Sequence, residues 1–159
     1  MPGSRLRRLT DSVRRRVGRA PREGTVEVVY APERDGDPDP GEVVWTWVPY
    51  EDDPTQGKDR PVLILGFDGP HLAGVPLSSK DHAGRRDAGE WVPVGRGAWD
   101  PQGRESYVDA ARLLRVEVTA VRREGSALER VRFEAVAVRV RELHGWGTGA
   151  PEPEGGRYS

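Results

Sequence analysis

Arg60 closes the polar segment GKDR and is followed at once by Pro61 and the most apolar run in the chain, PVLILGF. A guanidinium held at the mouth of a strand is a candidate anion site, because its planar fork donates paired hydrogen bonds to carboxylate or phosphate oxygens. Proline restricts the residue before it to extended backbone, so Pro61 would help hold Arg60 in place. Lysine occurs only at Lys58 and Lys80, and 23 of the 25 basic residues are arginine. That bias could reflect phosphate recognition, but a coding preference for arginine is the plainer reading. Trp91 and Trp99 stand in polar segments, where an indole can stack on splayed bases, whereas Trp45 and Trp47 read as core. His71 is expected at a turn and His144 at a helix end, where a cation is favoured. These two and His82, the three His residues of the chain, show no ligand spacing, so no metal and no other cofactor is expected. No dinucleotide fingerprint and no P-loop is present.

At 159 residues the chain has room for one domain with a core of its own. Hydrophobic content of 35%, with 20 Gly and 14 Pro, predicts a modest core with long polar extensions. The absence of Cys excludes disulfides and thiolate-bound metals. No apolar run approaches the roughly 18 residues that span a bilayer, and none resembles a signal peptide. A cytoplasmic protein without membrane partners is the expectation. Charge is unevenly distributed. Residues 1–24 carry eight Arg against Asp11 and Glu23, a net of +6, and the remaining 17 basic and 24 acidic residues give −7. A basic arm is attached to an acidic body.

In the arm, Leu6, Leu9, Val13 and Val17 recur at helical spacing among arginines, until Gly18 and Pro21 end the pattern. Such a segment either binds nucleic acid or is a tail or helix docked on another protein. TVEVVY reads as a strand and APERDGDPDPG as a linker. EVVWTWVPY alternates, with Val43, Trp45 and Trp47 on one side and Val44, Thr46 and Val48 on the other, which predicts a half-buried strand. EDDPTQGKDR reads as a ten-residue loop, PVLILGF as a central strand beginning at Pro61, and HLAGVPLSS as its hairpin partner beyond the DGP turn. EWVPV reads as a short strand, and ESYVDAARLLRV holds one or two more. In SALERVRFEAVAVRVRELHG, Ser126 and Glu129 form a capping box opening a helix, with Leu128, Val131, Ala135 and Val138 on one stripe, Val136, Val140 and Leu143 beside it, and Gly145 at its end. Five to seven short antiparallel strands and one terminal helix predict a small barrel with a helix laid on it. The predicted organisation is a basic extension over 1–24, a barrel domain over 25–146 and a disordered tail over 147–159.

The segment GEVVWTWVPYEDDPTQGKDRPVLILG, followed by HLAGVPLSS, resembles the PemK/MazF family of toxins from type II toxin–antitoxin systems. The likeness lies in a Gly-acidic pair entering a hydrophobic strand, a polar loop ending in Gly-x-x-Arg-Pro, an apolar strand, and a return strand ending in a hydroxyl residue. It covers residues 41–79 most closely and extends to about residue 145. It implies a mainly β, SH3-like barrel of the CcdB/PemK type that dimerises and cuts single-stranded RNA without a metal. The ribose 2′-OH would attack the adjacent phosphorus, leaving a cyclic phosphate and a 5′-hydroxyl.

The resemblance carries the family's arginine to Arg60 and its strand-end hydroxyl to Ser78, where threonine is usual. A guanidinium suits the charge that grows on the phosphate oxygens in the transition state, and Ser78 can bond the same phosphate. Neither group is a ready base, so proton transfer falls to Asp52, Asp53 or Asp59, or to His82. Asp53 and His82 are taken forward as catalytic candidates, and Lys58, Ser79, Lys80, Trp91 and Trp99 as RNA-binding ones. Arg85, Arg86, Arg96 and Arg104 would add a basic rim. The implied partners are single-stranded RNA, a cognate antitoxin, a second copy of the chain and, through the arm, operator DNA. The rival reading is a non-catalytic module on the same scaffold, its acidic body binding protein and its basic arm gripping nucleic acid; a net of −7 opposes an RNA backbone.

Overall fold

A computed structural model describes residues 26–33, 38–80 and 88–146. The basic arm, Arg85, Arg86, His82 and the C-terminal tail lie outside these residues. Among the described residues eight strands form one curled sheet: β1 (Val26–Val28), β2 (Glu42–Pro49), β3 (Gly57–Asp68), β4 (His71–Ser78), β5 (Trp91–Gly95), β6 (Ser106–Asp109), β7 (Leu114–Val116) and β8 (Val121–Ala127). The order is β5-β6-β4-β3-β2-β8, with β1 paired to β3 and β7 to β4. The pairings are antiparallel. One helix, α1 (Arg130–His144), follows β8. This is the mainly β architecture with a terminal helix that the pattern of short strands predicts, with one strand more than expected.

The central strands are apolar on both sides because each side meets its own core. Val43, Leu63, Leu65, Val75 and Leu77 join Phe133, Val136, Ala137 and Val140 of α1 in the larger cluster. Their alternate neighbours Val44, Val48, Val62, Ile64 and Leu72 pack with Leu114 and Val116 in a second. β2 is therefore not half-buried as its alternation predicts: Val43 and Val44 are both fully buried. Each such side chain contributes about 1.5–3 kcal/mol on burial, and covering both faces makes β2 and β3 the spine of the fold.

Three local expectations give way to long-range pairing. Gly57, Lys58, Asp59 and Arg60 belong to β3, lying opposite Pro49, Val48, Trp47 and Thr46. The loop is thus shorter than ten residues, and Pro61 is inside the strand rather than at its start. Ser126 does not cap the helix, because its backbone pairs with Val43 in the β2–β8 ladder. The helix starts three residues later at Glu129, which makes no side-chain cap bond. The stripe of Val131, Ala135 and Val138 faces outward, Val131 being 73% exposed. Phe133, Val136, Ala137 and Val140 form the buried face instead, with Phe133 against the Tyr30 ring. Gly145 ends the helix as expected, in the left-handed conformation that glycine adopts without steric cost.

The β3–β4 hairpin turns at Gly69, whose φ of 61° suits its tight bend. Its closed end is tied down by an ion pair from Asp68 to Arg115 and by a contact of His71 Nε2 with Glu117 Oε2 at 3.3 Å, all with little exposure. β1 lies so close over β3 that a Cβ on Gly66 would stand 1.8 Å from the Glu27 carbonyl oxygen. Gly66→Ala must push β1 away, and an overpacked site of this kind costs roughly 1–3 kcal/mol. The expected result is a lowered midpoint in thermal unfolding; a midpoint equal to the parent's would show that β1 is not held there.

Candidate active site

The hairpin register brings the two residues of the sequence motif together. Val62 of β3 lies opposite Pro76 of β4. Side chains two apart on a strand share a face, so Arg60 and Ser78, each two residues further toward the open end, lie side by side. On the other flank of β4, Leu77 faces Val108 and Ser78 faces Tyr107 of β6. The next residue on that face of β6 is Asp109. Three adjacent strands thus aim a guanidinium, a hydroxyl and a carboxylate into one open cleft of ≈ 460 Å³.

Lys58, Ser79, Lys80, Trp91 and Trp99 line the same cleft. Trp99 is not an open-loop stacking residue, however. It is 6% exposed, and its indole N–H donates to Ser106 Oγ at 2.9 Å. Trp91 is half-buried at the start of β5, opposite Asp109. Trp45, expected in the core, reaches the cleft and donates from Nε1 to the Trp99 carbonyl at 2.8 Å. Trp47, also expected in the core, is 39% exposed. Alternation identified the side of the strand each indole takes but not what lies over that side.

Asp53 does not join the cleft residues. Its Oδ1 accepts the Thr55 hydroxyl at 2.6 Å and the Thr55 N–H at 3.2 Å, which shapes the turn between β2 and β3. Asp59 and Glu51 do line the cleft, as does Asp109, a carboxylate that the sequence reading missed. Burial pushes the Asp109 carboxyl up to about 6; a hydrogen bond from the Ala111 N–H opposes the rise, and the Glu51 and Glu90 charges add to it. Arg112 beside it is pulled below the usual arginine range, first by burial, then by the nearby Arg60 charge, with Glu51 opposing. Its Nη2 donates to the Pro49 carbonyl.

Arg60 is half-buried, and among the described residues its guanidinium has no hydrogen-bond or ion-pair partner. Ser78 Oγ accepts the Lys80 N–H at 3.1 Å, which leaves its own hydrogen to donate. The charged lining comprises Lys58, Arg60, Lys80, Arg104 and Arg112 against Glu51, Asp59, Asp100 and Asp109. The cleft is therefore near charge balance, with five cations to four carboxylates, and does not share the strong negative excess of the body. Among the described residues no three His, Asp or Glu side chains converge as a metal site, and no helix is long and apolar enough to cross a membrane.

Residues 39–144 match the family described as PemK-like, MazF-like toxin of type II toxin–antitoxin system. The chain belongs to this family. Two of the solved structures to which the chain is similar bear out the fold. Two crystal forms of MazE–MazF from Deinococcus radiodurans align over 69% and 70% of this chain and 98% of theirs, at 19% and 20% identity, each with a TM-score of 0.50. An endoribonuclease in complex with its cognate antitoxin from Mycobacterial species aligns over 68% of this chain and 95% of its own, at 18% identity and a TM-score of 0.49. No curated protein sequence matches the chain.

Proposed function

We propose that the cleft is the active site of an endoribonuclease acting on single-stranded RNA. The observation that carries the reading is the convergence of Arg60, Ser78 and Asp109 on one face of β3, β4 and β6. The ribose 2′-OH attacks the adjacent phosphorus and its proton passes to the Asp109 carboxylate. The new 2′-O–P bond forms as the P–O5′ bond breaks, and the departing oxygen takes a proton from water at the open mouth. Arg60 donates to the non-bridging oxygens as their charge grows, and Ser78 donates a further hydrogen bond. Lys58 and Lys80 draw in the backbone. No step requires a metal. An antitoxin partner, supported by family membership, would keep the site silent.

The test is a long RNA incubated with the purified protein in excess EDTA. Fragments ending in cyclic phosphate and 5′-hydroxyl are expected; intact RNA at high enzyme would refute the reading and leave the binding-module alternative, which the net of −7 over residues 25–159 favours. Within the site, Ser78→Ala removes one hydrogen bond to a charged group, worth about 1.5 kcal/mol or roughly tenfold in kcat. Single-turnover rates on a short RNA measure it, and an unchanged rate would remove Ser78 from the mechanism.

A further inference from the structure

Arg104 has an arrangement that the cleavage chemistry does not use. Its side chain is 54% exposed at the cleft, yet it is clamped by Asp100, whose side chain is only 7% exposed. Arg104 Nε donates to Asp100 Oδ2 at 2.8 Å, and Nη2 approaches Oδ1 at 3.5 Å. The same carboxylate accepts the backbone N–H groups of Gln102 and Arg104. The turn around it is closed by bonds from the Asp100 N–H to the Gly97 carbonyl and from the Gly103 N–H to the Asp100 carbonyl. An ordinary surface pair leaves both partners in water and fixes neither. Here the acid is buried and fully engaged, and the base extends into the cleft. A guanidinium has five N–H groups; the two turned to Asp100 leave Nη1 and half of Nη2 to face outward.

The turn is also joined to the strands that carry the site. Trp45 lies opposite Pro61, next to Arg60, and its indole N–H holds the carbonyl of Trp99, the residue before Asp100. Arg104 is thereby held at a fixed offset from Arg60 across the cleft. Arg112 and Arg115 make a contrast: they are 16% and 14% exposed and are spent on Pro49 and Asp68.

We propose that Arg104, oriented by Asp100, binds a phosphate of the RNA strand neighbouring the one cleaved at Arg60. The proposal rests on the RNA reading of the cleft and adds a second anchoring point that sets the strand's direction through it. Arg104 is a binding residue and Asp100 a positioning one.

The test measures equilibrium binding of a 2′-deoxy-substituted oligonucleotide, which the protein cannot cut, by the full chain over a range of salt concentrations. Arg104→Ala is expected to weaken binding about tenfold and to flatten the slope of log affinity against log salt by about 0.7, the value for one phosphate contact on a single strand. Arg104→Lys keeps the charge without the fork, so it should retain the slope and lose part of the affinity. Arg104→Ala binding with parental affinity and slope overturns the proposal while leaving the active-site reading intact. An equal loss on a dinucleotide, which has only one phosphate, also overturns it by moving Arg104 to the cleaved position. A parent protein that binds no oligonucleotide at any salt sinks both.

Discussion

Arg60→Ala is expected to lower kcat for RNA cleavage by about 10²–10³-fold, roughly 3 kcal/mol in the barrier, while the protein unfolds at the parental temperature. The two halves of this expectation have separate causes. β3 holds the backbone at Arg60 opposite Thr46, and Pro61 confines it to extended geometry. The guanidinium is therefore delivered by the sheet and not by a bond of its own, having no partner among the described residues. Its removal strands no native donor or acceptor. It also relieves the repulsion that Arg60 exerts on half-buried Arg112. Arg60→Lys should fall between the two, keeping the charge but losing the paired hydrogen bonds. Single-turnover cleavage with a parallel thermal melt measures both halves. Undiminished cleavage by a folded Arg60→Ala protein would end the assignment.

Asp109→Asn should be as damaging to catalysis and should make the protein more stable. A positioned base contributes about 10²–10⁴-fold, and asparagine cannot accept the 2′-OH proton. In the parent, kcat/KM should fall as the pH drops below about 6, where Asp109 takes up its proton, and Asp109→Asn should lose that limb of the profile. The stability change has the opposite sign. Because the folded carboxyl is pushed up to about 6, the native state binds this proton more tightly than the unfolded chain. The group therefore costs stability as pH rises from about 4 to above 6 and the fold must hold its charge. Asparagine removes the charge, for a gain of about 1 kcal/mol at neutral pH, the open cleft screening the rest. Denaturant titrations at pH 5 and pH 8 check this: the gain should appear at pH 8 and shrink at pH 5. A variant that cleaves at the parental rate would exclude Asp109 as the base, and one destabilised at pH 8 would show that burial does not penalise its charge.

What the sequence could and could not disclose follows the range of the interactions involved. Arg60 and Ser78 were legible through the family resemblance, but their lying level with each other was not: counted from the Asp68–His71 pair at the turn Arg60 would oppose Ser79, and an irregularity between Ile64 and Gly66 shifts the register by one residue. Asp109 was not legible. In SYVDAAR it looks like a turn former, and its Oδ1 does accept the N–H of Ala111 two residues on. What raises its proton affinity is burial, together with Glu51 and Glu90 brought in from elsewhere in the chain. The capping box at Ser126 failed for a related reason. The Ser-x-x-Glu pattern is sound as local chemistry, but the ladder to Val43 claims the same backbone first.

Alternation and turn residues by themselves determined that this chain forms short antiparallel strands with a terminal helix, and the family resemblance singled out Arg60 and Ser78. Only the tertiary structure decided which face of α1 is buried, which indoles line the cleft, and that Asp109 and Arg104 join it. Those outcomes depend on β6 packing beside β4 and on the turn at Asp100 being tied to β2. Contacts between residues tens of positions apart leave no period in the sequence from which they could be read.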